Sequence, residues 1–229
     1  MVKAEIFKKI PVFSKLTNAQ LGDLGRFSRE KSFKKGEIVF TEKSAGKMLF
    51  FVLSGRIKIY KSTPAGHIKI LSYLNRGDIF GEMSLFSGGV RSATAAAIEP
   101  SMILLISSSD FRNFASKNVN ILLKIIATLT ARLRKADDEI KSLAYNSVLI
   151  RTVFVLFEFE KRYGRKRGGE IFIDFPLTHG EIAGNVGSSR EVISRMFSKL
   201  EKLKYIAREK GRIVILNPAG LKKIISFIE

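Results

Sequence analysis

Apolar and polar residues change their spacing several times along the chain. Over residues 1–30, Leu16, Leu21, Leu24 and Phe27 recur every three to five positions, the spacing of an amphipathic helix. From Phe33 to Ile106 the texture differs. β-Prone runs stand at Glu37–Phe40, Met48–Leu53, Arg56–Tyr60, His67–Leu74, Ala93–Ile98 and Met102–Ile106. Gly36, Gly46, Gly55, Pro64-Ala65-Gly66, Gly77, Gly88-Gly89 and Pro100 punctuate them. Short strands broken at this rhythm predict an all-β barrel, sandwich or roll.

A long helix follows, from Asn118 to Tyr145. Leu122, Ile126, Leu129, Leu133, Ala136, Ile140 and Leu143 alternate at spacings of four and three, ringed by Arg132, Arg134, Lys135, Asp138, Glu139 and Lys141. A helix of about 28 residues runs about 40 Å. It either packs on its own domain or pairs with a parallel copy; the sustained heptad seam favours the dimer, and Ala136 allows close approach. Val148–Tyr163 then reads as a Phe-rich helix. The basic run Lys161–Arg167 reads as a loop, solvated or phosphate-facing. A strand at Ile171–Phe175 precedes two helices separated by Gly187. Strands at Tyr205–Arg208 and Arg212–Leu216 flank a Lys210-Gly211 turn, and Asn217-Pro218 opens a terminal helix.

Composition narrows the function classes. The 229 residues, 45% hydrophobic and 27% charged, suit one large globular domain or two small ones. With no Cys and only His67 and His179, disulfides, thiolate metal sites, iron–sulfur clusters and thiol nucleophiles are excluded, and no metal site is expected. No apolar run approaches about 18 residues, so no membrane partner is expected. The start Met1-Val2-Lys3-Ala4-Glu5 lacks a signal-type apolar stretch, which makes cytoplasm the expected location. The net charge of +19 favours a polyanionic partner over a merely solvated basic surface. Residues 1–145 hold 24 basic and 12 acidic residues, and residues 146–229 hold 16 and 9. Charge alone does not say which part meets a nucleic acid.

The stretch Gly77-Asp78-Ile79-Phe80-Gly81-Glu82 through Arg91-Ser92-Ala93 carries more chemistry. A tight Gly-rich turn exposes backbone N–H groups to phosphate oxygens. Arg91 adds a planar fork of donors, Ser92 a hydroxyl, and Glu82 an acceptor suited to a sugar hydroxyl. Here the chain resembles the cyclic-nucleotide-binding domain of the cyclic-AMP receptor protein/fumarate-nitrate regulator (CRP/FNR) family. Phe80-Gly81-Glu82 and Arg91-Ser92-Ala93, with Glu82 and Arg91 nine apart, match that family's phosphate-binding cassette. The resemblance implies that Glu82 holds a ribose 2′-hydroxyl and that Arg91 and Ser92 hold a cyclic phosphate. It also implies that Gly81 and Met83 line the site and that Leu71, Ser72 and Leu74 form its wall. On the long helix the family's cyclic-AMP binders place Thr and Ser; this chain has Ala136 and Asp137. Ala136 offers no hydroxyl, and Asp137 accepts from adenine N6 or guanine N1/N2, which leaves cyclic AMP and cyclic GMP both open. Asp137 otherwise reads as part of an exposed acidic cluster, and the cassette otherwise as a packing relic or the site of a non-nucleotide effector.

Farther on, Thr178-His179-Gly180-Glu181-Ile182-Ala183 leads to Gly187 and then to Ser189-Arg190-Glu191-Val192-Ile193-Ser194-Arg195. This is helix-turn-helix spacing, and the strand–turn–strand after it makes it winged. Arg can grip guanine O6/N7 and Glu can accept from cytosine N4. The family resemblance extends over nearly the whole chain and includes residues 190–195. It implies DNA contacts from Arg190, Glu191, Ser194 and Arg195; Lys199 suits a phosphate, His179 reads as meeting phosphate or solvent, and Thr178 and Ser189 are further candidate DNA contacts.

The expected fold is therefore α+β: an N-terminal cyclic-nucleotide-binding β-roll (1–117), a long dimerisation helix (118–145) and a C-terminal winged helix-turn-helix (146–229). The expected function is a homodimeric transcription regulator on a pseudo-palindromic double-stranded operator, with a cyclic nucleotide effector, no tightly bound cofactor, and RNA polymerase as a further partner. The alternatives are a regulator without a nucleotide effector or constitutively active, and a cyclic-nucleotide-binding regulatory module of a kinase or channel. No motif supports an enzyme.

Overall fold

The computed structural model describes residues 4–8, 10–87, 89–209 and 211–226. Two compact units emerge: residues 1–61 with 70–134, and residues 62–69 with 135–229.

The first unit opens with α1 (Ala4–Lys8), a 3-10 turn (Pro11–Phe13) and α2 (Asn18–Phe27). A reciprocal cap starts α2: Thr17 Oγ1 accepts from the Gln20 N–H, and the Gln20 side chain accepts from the Thr17 N–H. The strands are β1 (Ser28–Phe33), β2 (Ile38–Phe40), β3 (Met48–Ser54), β4 (Ile57–Ser62), β5 (Ile68–Leu74), β6 (Ile79–Phe80), β7 (Thr94–Ala97) and β8 (Ser101–Ser107), with the short helix α3 (Met83–Ser87) between β6 and β7. They form two sheets of four, β1-β8-β3-β6 and β2-β7-β4-β5. Strand β3 shows why its sequence is apolar throughout. Leu49 and Phe51 enter one core cluster with Phe13, Leu24, Phe111 and Ile125. Phe50 and Val52 enter the other with Phe33, Ile57, Phe80 and Ile103. A strand buried on both faces needs no alternation.

Strand β1 and helix α4 (Ser108–Ser116) are among the elements that escaped the sequence pattern. The first helix was expected to run to about residue 30, but β1 begins at Ser28. Its polar Arg29-Glu30-Lys31-Ser32 segment is exposed, and only a six-pair antiparallel ladder with β8 makes it a strand. Helix α4 (Ser108–Ser116) was also missed. Ser107 caps it, and Phe111, Phe114 and Ala115 bury its face.

Helix α5 (Val119–Tyr145) starts one residue later than expected. Ile121 and Ile125 are buried, and Leu122 and Leu129 pack beside the core. The remaining seam residues are open: Leu133 is 63% exposed and Ile140 65%, with Ile126 and Leu143 also exposed.

The second unit holds α6 (Val148–Tyr163), β9 (Gly164–Arg167), β10 (Glu170–Ile173), α7 (His179–Val186), α8 (Arg190–Lys202), β11 (Ile206–Glu209), β12 (Arg212–Ile215) and α9 (Pro218–Ser226). The strands form one sheet, β11-β12-β10-β9. The basic run from Gly164 to Arg167 is thus an edge strand and not a loop. Its backbone pairs with β10 from Gly164↔Ile173 to Arg167↔Glu170, while its charged side chains stay in solvent and blunt the edge. Gly187 ends α7 at φ 72°, ψ 53°, a left-handed conformation that favours glycine. Asn217 Oδ1 accepts from the Gly220 N–H and caps α9, as its sequence predicts. In the predicted turns Gly88-Gly89 and Lys210-Gly211, Gly88 and Lys210 lie outside the described residues.

Candidate functional site

The cassette residues meet at the end of β6. Gly81 has φ 76°, and a Cβ there would stand 2.5 Å from Arg91 Nη1, so only glycine lets the guanidinium lie against this turn. Arg91 is 3% exposed. Its Nη1 donates to Gly81 O and to Ser84 Oγ, both at 2.9 Å, and its Nη2 to Met48 O at 2.7 Å. Its guanidinium carbon lies 4.4 Å from the centre of the Phe40 ring and 5.1 Å from that of Phe50, a cation–π cushion. The backbone is pinned as well: the Arg91 N–H donates to Ser44 O, and Arg91 O accepts from the Lys43 N–H, both at 2.8 Å.

Glu82 is 2% exposed. Its Oε1 accepts from Arg132 Nη1 at 2.7 Å, and Arg132 Nη2 donates to Ile79 O at 2.5 Å. A buried carboxylate without a counter-charge is strongly unfavourable; Arg132 and Arg91 supply it. Burial lowers the Arg91 pKa, and the charge of Glu82 opposes that shift. Two buried polar atoms of this cluster have no partner: Glu82 Oε2, an acceptor, and Arg91 Nε, a donor. Leaving each unsatisfied costs about 1–3 kcal/mol.

The other predicted ligand residues are less concentrated. Ser92 is exposed and its hydroxyl donates to Sδ of the exposed Met83 at 3.3 Å. On β5, Leu71 is exposed and Ser72 half-buried, whereas Leu74 is buried among Phe50, Val52 and Phe80. Leu74 is thus a core residue. Ala136 and Asp137 are exposed on α5 and belong to the second unit. Sequence reasoning treated Arg132 as one more charge beside the heptad seam. The missed signal was the need of a buried Glu82 for a cationic partner.

In the second unit, Ile193, Phe197 and Leu200 are buried along one side of α8. That anchoring turns the opposite face outward. Arg190, Glu191, Ser194 and Arg195 line an open depression there, and Lys199 is exposed one turn on. Ser189 Oγ accepts from the Val192 N–H and caps the helix. The Glu191 carboxyl is held below its ordinary pKa by its own backbone N–H and by the Ser189 hydroxyl, so it stays an acceptor at neutral pH. Thr178 is committed to the reciprocal cap of α7: its Oγ1 accepts from the Glu181 N–H at 3.1 Å, and its N–H donates to Glu181 Oε2 at 2.9 Å. His179 was read as phosphate- or solvent-facing. The residue is half-buried: its ring packs on Phe197, with centroids 5.1 Å apart, and its Nε2 is buried without a partner. Burial first, then Arg208, holds its pKa below the usual histidine value.

Among the described residues, no helix is long and apolar enough to cross a membrane, and no group of three or more His, Cys, Asp or Glu is placed to hold a metal ion.

The cyclic nucleotide-binding domain family matches residues 30–118, and the Crp-like helix-turn-helix domain family matches residues 150–224. The cAMP-activated global transcriptional regulator CRP of Pasteurella multocida is 32% identical over 171 residues, covering 73% of this chain and 80% of that protein. The CRP-like cAMP-activated global transcriptional regulator of Mycobacterium tuberculosis is 26% identical over 213 residues, 93% of this chain and 95% of that one. In fold, the regulator CLP of Xanthomonas campestris, described as c-di-GMP responsive, superposes with a TM-score of 0.79 at 21% identity, over 87% of this chain and 99% of that one. With a cyclic nucleotide-binding domain followed by a winged helix-turn-helix, the chain belongs to the CRP/FNR family of DNA-binding transcription regulators.

Proposed function

We propose that the protein is a homodimeric regulator whose operator binding is gated by a cyclic mononucleotide held by Glu82 and Arg91. The observation that carries this reading is the pair of buried atoms without partners. Arg91 Nε has a proton to donate and Glu82 Oε2 has lone pairs to fill. A cyclic phosphate brings acceptor oxygens and a ribose 2′-hydroxyl brings a proton, so one ligand satisfies both. The relatives named as cAMP-activated support the same class of effector. Ser92, at the mouth of the cassette, is assigned to the phosphate. Asp137 is assigned to the base, which keeps cyclic AMP and cyclic GMP both as candidates.

The open α5 seam of Ile126, Leu133, Ile140 and Leu143 supports a second copy as its cover. Two copies of α8 then read half-sites about 34 Å apart on a pseudo-palindromic operator. Arg190 and Arg195 suit guanine and Glu191 suits cytosine, while Lys199 meets phosphate. Nucleotide binding shifts operator affinity by a coupling of about 1–3 kcal/mol. The regulator works in the cytoplasm beside RNA polymerase.

Calorimetric titration of nucleotide-free protein with cyclic AMP and cyclic GMP tests the reading. Saturable binding that Arg91→Ala abolishes is the expected result. No binding of either nucleotide overturns the effector assignment and leaves the DNA-binding regulator in place.

A further inference from the structure

Resting on the cyclic-nucleotide reading above, we propose that Ser84 is a positioning residue that fixes which edge of the Arg91 guanidinium meets the cyclic phosphate. Ser84 is buried, at 4% exposure, on the first turn of α3. Its hydroxyl has one proton and accepting lone pairs, and both capacities are used. It donates to Gly81 O at 3.1 Å and accepts from Arg91 Nη1 at 2.9 Å. The side chain is boxed in, because a Cβ at Gly46 would run into Ser84 Cβ and Oγ.

The consequence lies in how the five N–H groups of an arginine are shared out. Both Nη1 protons have protein acceptors, Gly81 O and Ser84 Oγ, and one of the two Nη2 protons has Met48 O. Phe40 and Phe50 hold the group from its face, which opposes tilting and leaves rotation within the plane. Ser84 and Gly81 block that rotation by gripping the Nη1 end. The edge formed by Nε and the second Nη2 proton is what remains for a ligand. Without the hydroxyl, Nη1 has a spare proton, the guanidinium can turn in its plane, and Nη1 competes with Nε for the phosphate.

A fixed donor edge distinguishes the two exocyclic oxygens of a cyclic phosphate; a turning one does not. Sulfur is a weak acceptor. The two diastereomeric phosphorothioates of cyclic AMP and of cyclic GMP, with sulfur in place of one or the other oxygen, therefore report the edge. Each Kd is measured by calorimetry on the wild type, Ser84→Ala and Gly46→Ala, the last keeping the hydroxyl but displacing it. In the wild type the two diastereomers should differ at least about tenfold. Ser84→Ala should raise the Kd of the parent nucleotide about fivefold or more and move the diastereomer ratio towards one. Gly46→Ala should move the ratio in the same direction. If Ser84→Ala weakens both diastereomers by one common factor, or if the wild type does not discriminate, Ser84 only supports the fold and the proposal fails while the nucleotide reading stands. A wild type that binds no cyclic nucleotide overturns both.

Discussion

Arg91 and Arg195 carry the same charge into opposite surroundings. Arg91 is buried on aromatic rings and held by two carbonyls and a hydroxyl. Arg195 stands in solvent on the open face of α8. The difference is the one that the proposed function asks of each. A small anion must be taken out of water, so its receptor gains from desolvated donors fixed beforehand. A long polyanion stays hydrated and is held through displaced counterions, so its receptor keeps charges exposed. One region spends folding stability to hold a charge, and the other does not.

Removing a charge from each region should affect the fold very differently. Glu82→Ala leaves Arg91 buried without its counter-charge and frees Arg132. Loss of one partner of a buried pair costs about 3–5 kcal/mol. Arg132 keeps about a third of its side-chain surface in solvent, so about 2–3 kcal/mol is expected here. Urea denaturation should show that loss in the first unit. Arg195→Ala should leave stability within about 0.5 kcal/mol. Equal losses from the two substitutions would remove the distinction.

Function should respond the other way round. Arg195→Ala should weaken operator binding by about 1–3 kcal/mol and relax the choice of one base pair. Lys199→Ala should weaken binding to all sequences alike and lower the slope of log affinity against log salt by about one. Mobility-shift titrations at several salt concentrations read both effects. A slope unchanged in Lys199→Ala would mean that the exposed lysine does not meet phosphate.

How much of this was legible beforehand depended on where the determining interaction lay. Glu82 and Arg91 could be singled out as candidates because both sit within one short stretch. The turn at Gly187 was legible because backbone conformation is local. Arg132 was not, since its partner lies 50 residues away. Strand β1 was not either, because Arg29-Glu30-Lys31-Ser32 has no apolar alternation and owes its conformation to β8. The same holds for β9, whose basic residues look like a solvated loop until β10 supplies a ladder. Leu74 read as pocket wall together with Leu71 and Ser72, of which Leu71 is exposed and Ser72 half-buried. Seven residues of β5 alternate imperfectly, with Tyr73 and Leu74 both buried, and a break in alternation cannot be placed without the partner sheet.

The finest contrast concerns His179, a titratable group in the exposed region that behaves like the buried one. Its ring sits on Phe197, its Nε2 has no partner, and burial with Arg208 keeps its pKa below the ordinary 6.5. Between the folded and unfolded values, the unfolded chain takes up a proton that the folded chain refuses. Stability therefore rises with pH in that window. The contribution is complete above about 6.5 and is lost as pH falls through the folded value. Glu191, also shifted down in this unit, has an ordinary value of 4.5, so its contribution is lost at lower pH and does not overlap the window of the histidine. Thermal unfolding of wild type and His179→Gln between pH 5 and 7 isolates the effect as the difference of two slopes. The wild type should lose stability faster on acidification. Parallel curves would mean that the ring is as well solvated folded as unfolded, and the packing of His179 on Phe197 would then not hold in solution.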